Sequence, residues 1–132
     1  MTSSIKKKIL LAEDDASMRR FIEVILQKAD FDVITAEDGL AAMQIALETD
    51  IDAVVADAIM PNMTGYDLCR MLRNNPDKAG VPLVILSGLQ QNNAEMDGIA
   101  DAYLLKGGKL KEELIETLSK IFTAETQRHR DS

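Results

Sequence analysis

The sequence predicts an α/β fold, a doubly wound parallel sheet of five strands with helices between them, and three observations carry that expectation. Short runs rich in Val, Ile and Leu alternate five times with amphipathic stretches, the pattern of a parallel sheet wrapped by helices. Most of the runs are apolar at successive positions, as strands covered on both faces are. At 132 residues the chain has the size of one domain, long enough for one core and too short for two ordinary ones.

Each element follows from a local pattern. The first strand spans Lys8 to Glu13, and a helix follows from about Ser17 to Ala29, with Phe21, Val24, Ile25 and Lys28 at helical spacing. Ser17 or Asp15 supplies its N-cap. The second strand is Asp32 to Ala36, and its helix starts near Asp38 with Leu40, Met43, Ala46 and Leu47 on one stripe. The third strand, Asp52 to Asp57, leads to a helix from about Gly65 to Asn75. Pro76 stops that helix, and Leu68, Met71 and Leu72 are expected to face inward. The fourth strand is Leu83 to Ser87, followed by a polar, weakly patterned helix from about Gln90 to Ile99. The fifth is Ala102 to Lys106. A last helix, about Leu110 to Thr123, carries Leu114, Ile115, Leu118, Ile121 and Phe122 as an amphipathic stripe. Residues 125–132 are polar and aperiodic, and are expected to form a tail or the start of a linker.

Composition excludes several classes. The chain is 46% hydrophobic but only 4% aromatic, so its core must be aliphatic. A net charge of -7 opposes general binding of nucleic acid by phosphate neutralisation. No apolar run approaches the roughly 20 residues of a membrane span. The basic cluster at Lys6 to Lys8 leads into four apolar residues and then acids, unlike a signal peptide, so the expected location is the cytoplasm. The lone cysteine, Cys69, cannot form an internal disulfide and suits a small core position.

The chemistry collects at strand ends, because ligands of an open parallel sheet bind outside the carboxyl ends of its strands. Strand one ends in Glu13, Asp14 and Asp15, strand three in Asp57, strand four in Ser87 and strand five in Lys106. If strands one and three are neighbours, their carboxylates converge. Two of them 4 Å apart would repel by roughly 4 kcal/mol at an effective dielectric of 20. A hard divalent cation relieves that, and all-oxygen ligation suits Mg²⁺. A lysine and a hydroxyl facing a metal-bound carboxylate can clamp the oxygens of a transferring phosphoryl group. Asp57 would be the nucleophile, forming an acyl phosphate.

At this point the sequence resembles the receiver domain of two-component response regulators, over about Lys7 to Phe122. KILLAEDDASMRR resembles that family's first strand and acid pair, VVADAIMPNMTGYDL its phosphoacceptor strand and loop, VILSG its hydroxyl strand, and DAYLLK its aromatic and lysine. The resemblance implies a flavodoxin-like (βα)5 fold over residues 1–124. It implies that Asp57 is the phosphoacceptor, that Asp14, Asp57 and the Ile59 backbone carbonyl hold Mg²⁺, and that Glu13 acts on the metal mostly through water. Ser87 and Lys106 would bind the phosphoryl group, and Ser87 and Tyr103 would form the switch. The implied partners are a histidine kinase or phosphotransfer protein upstream, and an output protein or a C-terminal effector domain downstream. The implied activity is that of a phosphoacceptor signalling domain, not a turnover enzyme. One departure stands out: the family usually has proline after the lysine, often with a cis bond, and this chain reads Lys106-Gly107-Gly108. A cis bond before glycine costs about 2.5 to 4 kcal/mol, so a trans bond is expected.

Three rivals have distinct signatures. A flavodoxin-like cofactor binder would offer Ser, Thr and Gly amides where this chain places acids. An aspartyl-phosphate hydrolase would need a second acid where Ile59 stands. A degenerate receiver would serve only as a protein-binding module.

Overall fold

The computed structural model describes residues 6–88 and 99–131, with 125–131 as backbone only. Five strands, β1 (Lys8–Ala12), β2 (Asp32–Ala36), β3 (Ala53–Asp57), β4 (Leu83–Ser87) and β5 (Ala102–Leu105), form one sheet in the order β2-β1-β3-β4-β5. Every pair is parallel. The doubly wound, flavodoxin-like architecture expected from the alternating runs is therefore present. Four helices are described: α1 (Ala16–Lys28), α2 (Gly39–Glu48), α3 (Gly65–Arg73) and α4 (Leu110–Asp131). The helix expected over Gln90 to Ile99 lies outside the described residues except for its last residue.

Two aliphatic cores follow from the alternation of side chains along the strands. On one face Leu10, Val54, Leu83 and Ile85 meet Ala42, Met43 and Ala46 of α2 and Leu68, Cys69 and Leu72 of α3. On the other, Ile9, Leu11, Val55, Val84 and Leu86 meet Ile22 and Leu26 of α1 and Leu110, Leu114 and Leu118 of α4. Asp15 caps α1 by accepting from the Met18 amide at 2.8 Å. Asp38 and Thr64 cap α2 and α3 in the same way. The order in which strands are added reverses between β1 and β3, and the resulting crevice opens at the carboxyl edge of the sheet.

Three helix faces differ from expectation. Phe21, Leu40, Leu47 and Met71 are exposed, while Ile22 and Ala42 turn inward; Cys69 fills the small core position expected of it. On α2 the buried positions are Gly39, Ala42, Met43 and Ala46. Small residues let a short helix lie close to the sheet, and the larger side chains are then left on the outer flank. The last helix also continues past Thr123 to Asp131. Ala, Glu, Gln and Arg propagate a helix without needing a buried stripe once a packed first half has nucleated it.

Candidate functional site

β1 and β3 are paired, with Ala12 opposite Ala56. The next residues, Glu13 and Asp57, therefore leave the crevice floor side by side, about one strand spacing apart. One carboxylate oxygen from each of Glu13, Asp14 and Asp57 falls within 4.8 Å of the others. Their access to water is unequal: Glu13 is 0% exposed and Asp57 8%, whereas Asp14 is exposed.

Lys106 reaches into this acidic floor from the residue after β5. Its Nζ lies 2.8 Å from Asp57 Oδ2 and 2.6 Å from Glu13 Oε1. The lysine backbone is fixed as well, its N–H donating to the Ser87 carbonyl at 2.8 Å. β4–β5 pairing thus brings Ser87 to the same edge. The contact with Glu13 is an oblique ion pair, and Glu13 Oε1 is left a buried acceptor without a well-directed hydrogen bond. Glu13 Oε2 accepts from the Asp15 amide at 3.1 Å.

Electrostatics follow from this packing. Burial pushes the Glu13 carboxyl above its usual range; Lys106 and the Asp15 amide oppose that, the Asp57 charge adds to it, and the net direction is upward. For Lys106 burial alone favours the neutral amine, but the hydrogen bond to Asp57 and the ion pair with Glu13 outweigh it and hold the ammonium. Tyr66, at the start of α3, is raised by burial and by the nearby Tyr103 and Asp57.

The loop after Asp57 is closely held. Gly65 donates its N–H to the Ala58 carbonyl at 2.9 Å, and a Cβ there would stand 2.3 Å from the Asp57 carbonyl oxygen. Only glycine lets α3 begin so near Asp57. Within the loop the Ile59 amide lies 3.4 Å from Asp57 Oδ1, and the Ile59 side chain is 64% exposed. Tyr103 is exposed on β5, its hydroxyl accepting from the Ala100 amide at 3.1 Å. No cis peptide bond occurs among the described residues, so Lys106–Gly107 is trans.

Glu13, Asp14, Asp57 and Lys106 are thus brought together, Ser87 lies at the adjoining edge, and Tyr103 stands apart on the outer strand. One contributor was not foreseen. Arg19, one turn into α1, donates to the Glu13 carbonyl at 2.9 Å and lies 3.5 Å from that of Asp14, anchoring the backbone of the acid pair. Its position one helical turn beyond three acids is the sequence signal for that role.

The donor set suits a hard divalent ion. It is all oxygen, one acid is open to solvent, and Glu13 Oε1 retains accepting capacity that a cation or its water would satisfy. Fold and site together define a class of protein, a doubly wound α/β domain with an acidic, lysine-capped pocket at the carboxyl edge of its sheet. The sequence profile of the response regulator receiver domain matches residues 9–119, and the chain belongs to that family.

Among curated proteins, it is 37% identical over 110 residues to a probable transcriptional regulator of Porphyridium aerugineum, covering 81% of this chain and 45% of the relative. It is 33% identical over 112 residues to the DNA-binding response regulator MtrA of Mycobacterium tuberculosis, covering 83% and 48%. The chain therefore spans about half the length of these relatives. Among solved structures, the chemotaxis response regulator CheY4 of Vibrio cholerae superposes with a TM-score of 0.82 at 28% identity, covering 89% of this chain and 99% of that one. The receiver domain of a sensor histidine kinase from Pseudomonas aeruginosa, which has a magnesium ion coordinated in its active-site cleft, gives 0.78 at 29% identity, covering 88% and 97%.

Proposed function

We propose that this chain is a phosphoacceptor receiver of a two-component system, taking a phosphoryl group on Asp57 from a phosphohistidine of a histidine kinase or phosphotransfer protein. The observation that carries this is the Asp57 carboxylate itself: nearly buried at a strand end, 2.8 Å from the Lys106 ammonium and grouped with two further acids. An Asp57 oxygen attacks phosphorus, the phosphorus–nitrogen bond of the donor breaks, and the imidazole leaves with the bonding pair. Mg²⁺, held by Asp14, Asp57 and the Ile59 carbonyl with Glu13 behind them, would neutralise charge on the entering group. Lys106 and Ser87 meet the phosphoryl oxygens. Hydrolysis of the acyl phosphate returns Asp57 to the carboxylate.

The added charge of about -1.5 to -2 draws Lys106 and Ser87 inward. Movement of Ser87 opens space for Tyr103, shifting the surface around β5 between two populations. The tyrosine now exposed and bonded to Ala100 is the state from which that shift starts. The site lies in the cytoplasm, and the output is either a separate protein or an effector domain joined after residue 124. In the alternative, a degenerate receiver, the same surface binds a partner without phosphorylation.

Incubation with a small acyl-phosphate donor and Mg²⁺, read by intact mass, tests the proposal. Wild type gains one phosphoryl group and Asp57→Asn gains none. An unlabelled wild type, or equal labelling of the variant, overturns it.

A further inference from the structure

We propose that the corner between β2 and α2, Ala36 to Gly39, is a positioning element for the phosphoacceptor site, although it supplies no residue to it. The inference rests on Asp57 being the acceptor. Three attachments converge on this corner. The Ala36 carbonyl accepts from the Glu13 amide at 3.1 Å, so the corner holds the buried acid's backbone. Glu37 lies 4.0 Å from Arg19, the residue that anchors both carbonyls of the acid pair; the contact is long and Glu37 is open to solvent, so it contributes little by itself. Asp38 and Gly39 make the third attachment, to the loop that follows Asp57.

That loop, Ala58 to Thr64, is closed at its base by the bond from Gly65 to Ala58. Its far side rests on the corner. A Cβ on Gly39 would lie 2.3 Å from the Met63 carbonyl oxygen and 2.6 Å from Met63 Cβ, so the two backbones touch with no room for a side chain. Next to this contact Asn62 adopts a left-handed φ of 71°, a conformation that asparagine tolerates better than most residues. Its side-chain Nδ2 donates to Asp38 Oδ2 at 3.4 Å, a long hydrogen bond. The other Asp38 oxygen caps α2 through the Ala41 amide at 2.8 Å. One carboxylate therefore ties the start of a helix to the acceptor loop.

β1–β3 pairing places Asp57 beside the acid pair; because the acid pair and the acceptor loop are fastened to the same few residues, the corner sets where the loop, with its Ile59 carbonyl, stands relative to those acids. Outer groups of this kind fix metal-ligand geometry, and their loss commonly costs ten- to a hundredfold in metal affinity. Asp38 and Gly39 are thus positioning residues.

The test uses Gly39→Ala, which forces the two backbones apart, and Asp38→Ser, which keeps an oxygen for the Ala41 amide but is too short to reach Asn62. Two quantities are measured in each variant of the 132-residue chain: the Mg²⁺ dissociation constant, by calorimetric titration with MgCl₂, and backbone amide exchange in metal-free protein. Both variants are expected to raise the dissociation constant about tenfold. Exchange should accelerate across Ile59 to Thr64 while the amides of β1 and β3 keep their protection. Wild-type affinity with wild-type exchange in Asp38→Ser overturns the inference. So does loss of protection in β1 and β3 equal to that in the loop, since the effect would then be general unfolding. If wild type itself neither binds Mg²⁺ nor labels on Asp57, the functional proposal fails, and exchange in the metal-free variants still decides whether the corner holds the loop.

Discussion

β3 and β5 belong to the same sheet, yet they meet solvent in opposite ways. β3 has a strand on either side and is buried at every position, whereas β5 has one neighbour and alternates between half-buried and exposed. The residue proposed to take the phosphoryl group ends the first, and the residue proposed to report it lies on the second. The difference teaches a division of labour. A reacting carboxylate gains from a strand whose position is fixed by packing on both faces. A side chain that must exchange between two places gains from an edge, where opening costs little. Lys106 is the link, carried by the β5 side and gripped by acids on the β1–β3 side.

The largest expected effect separates the two regions by core loss. Leu10 on β1 is fully buried and Leu105 on β5 is 45% exposed. Leu10→Ala should lower unfolding stability by about 2–5 kcal/mol, and Leu105→Ala should change it by about 0.5 kcal/mol or less, both read by urea denaturation. Comparable losses would erase the contrast. Next in size is the link itself. Lys106→Met leaves Glu13 and Asp57 without their cation and should cost about 3 kcal/mol at neutral pH, at the low end for a broken buried pair because Asp57 retains some access to water. The loss should shrink as pH falls and Glu13, whose carboxyl is held above its usual range by burial, takes up a proton.

A smaller effect of opposite sign is expected at Asp14. It is exposed and within 4.8 Å of two other acids, so Asp14→Asn should stabilise the metal-free protein by about 1 kcal/mol, the Coulomb repulsion near the water limit. The same variant should lose the rise in melting temperature that MgCl₂ produces in wild type. A last effect, absent at neutral pH and confined to the alkaline range, lies in the α3 layer. Burial pushes the Cys69 thiol up from 9.0 to about 12. Within that window the unfolded chain has released the proton and the folded chain still holds it. Stability therefore falls as pH rises from 9.0 toward about 12. Cys69→Ala should flatten that slope relative to wild type, as judged from urea midpoints across the window.

The strands were legible because a parallel sheet imposes apolar residues at successive positions, and Asp32–Ala36 and Leu83–Ser87 match their expected bounds. Helix faces were less so. The stripe expected on α2 was right at Met43 and Ala46, but it included Leu40 and Leu47, where close approach to the sheet selects Gly39 and Ala42. Size competes with hydrophobicity at such contacts, and a linear pattern does not show which wins. In the site, the acids and Lys106 were visible as strand-end residues. Full burial of Glu13 and its pairing with the lysine were not, since both depend on how far β5 stands from β1 across the sheet. Gly39 could be read only as a helix start, its contact with Met63 being a meeting of two loops distant in sequence.

Gly107 and Gly108 have open space where a side chain would stand and no left-handed φ, so neither a turn nor a close approach requires glycine at either place. Their effect falls on the unfolded ensemble. Each roams a wider range of backbone angles before folding than alanine would, and ordering it costs about 0.5–1 kcal/mol more. The lysine is therefore placed by the acids that grip it, while the residues that follow it oppose folding through entropy alone.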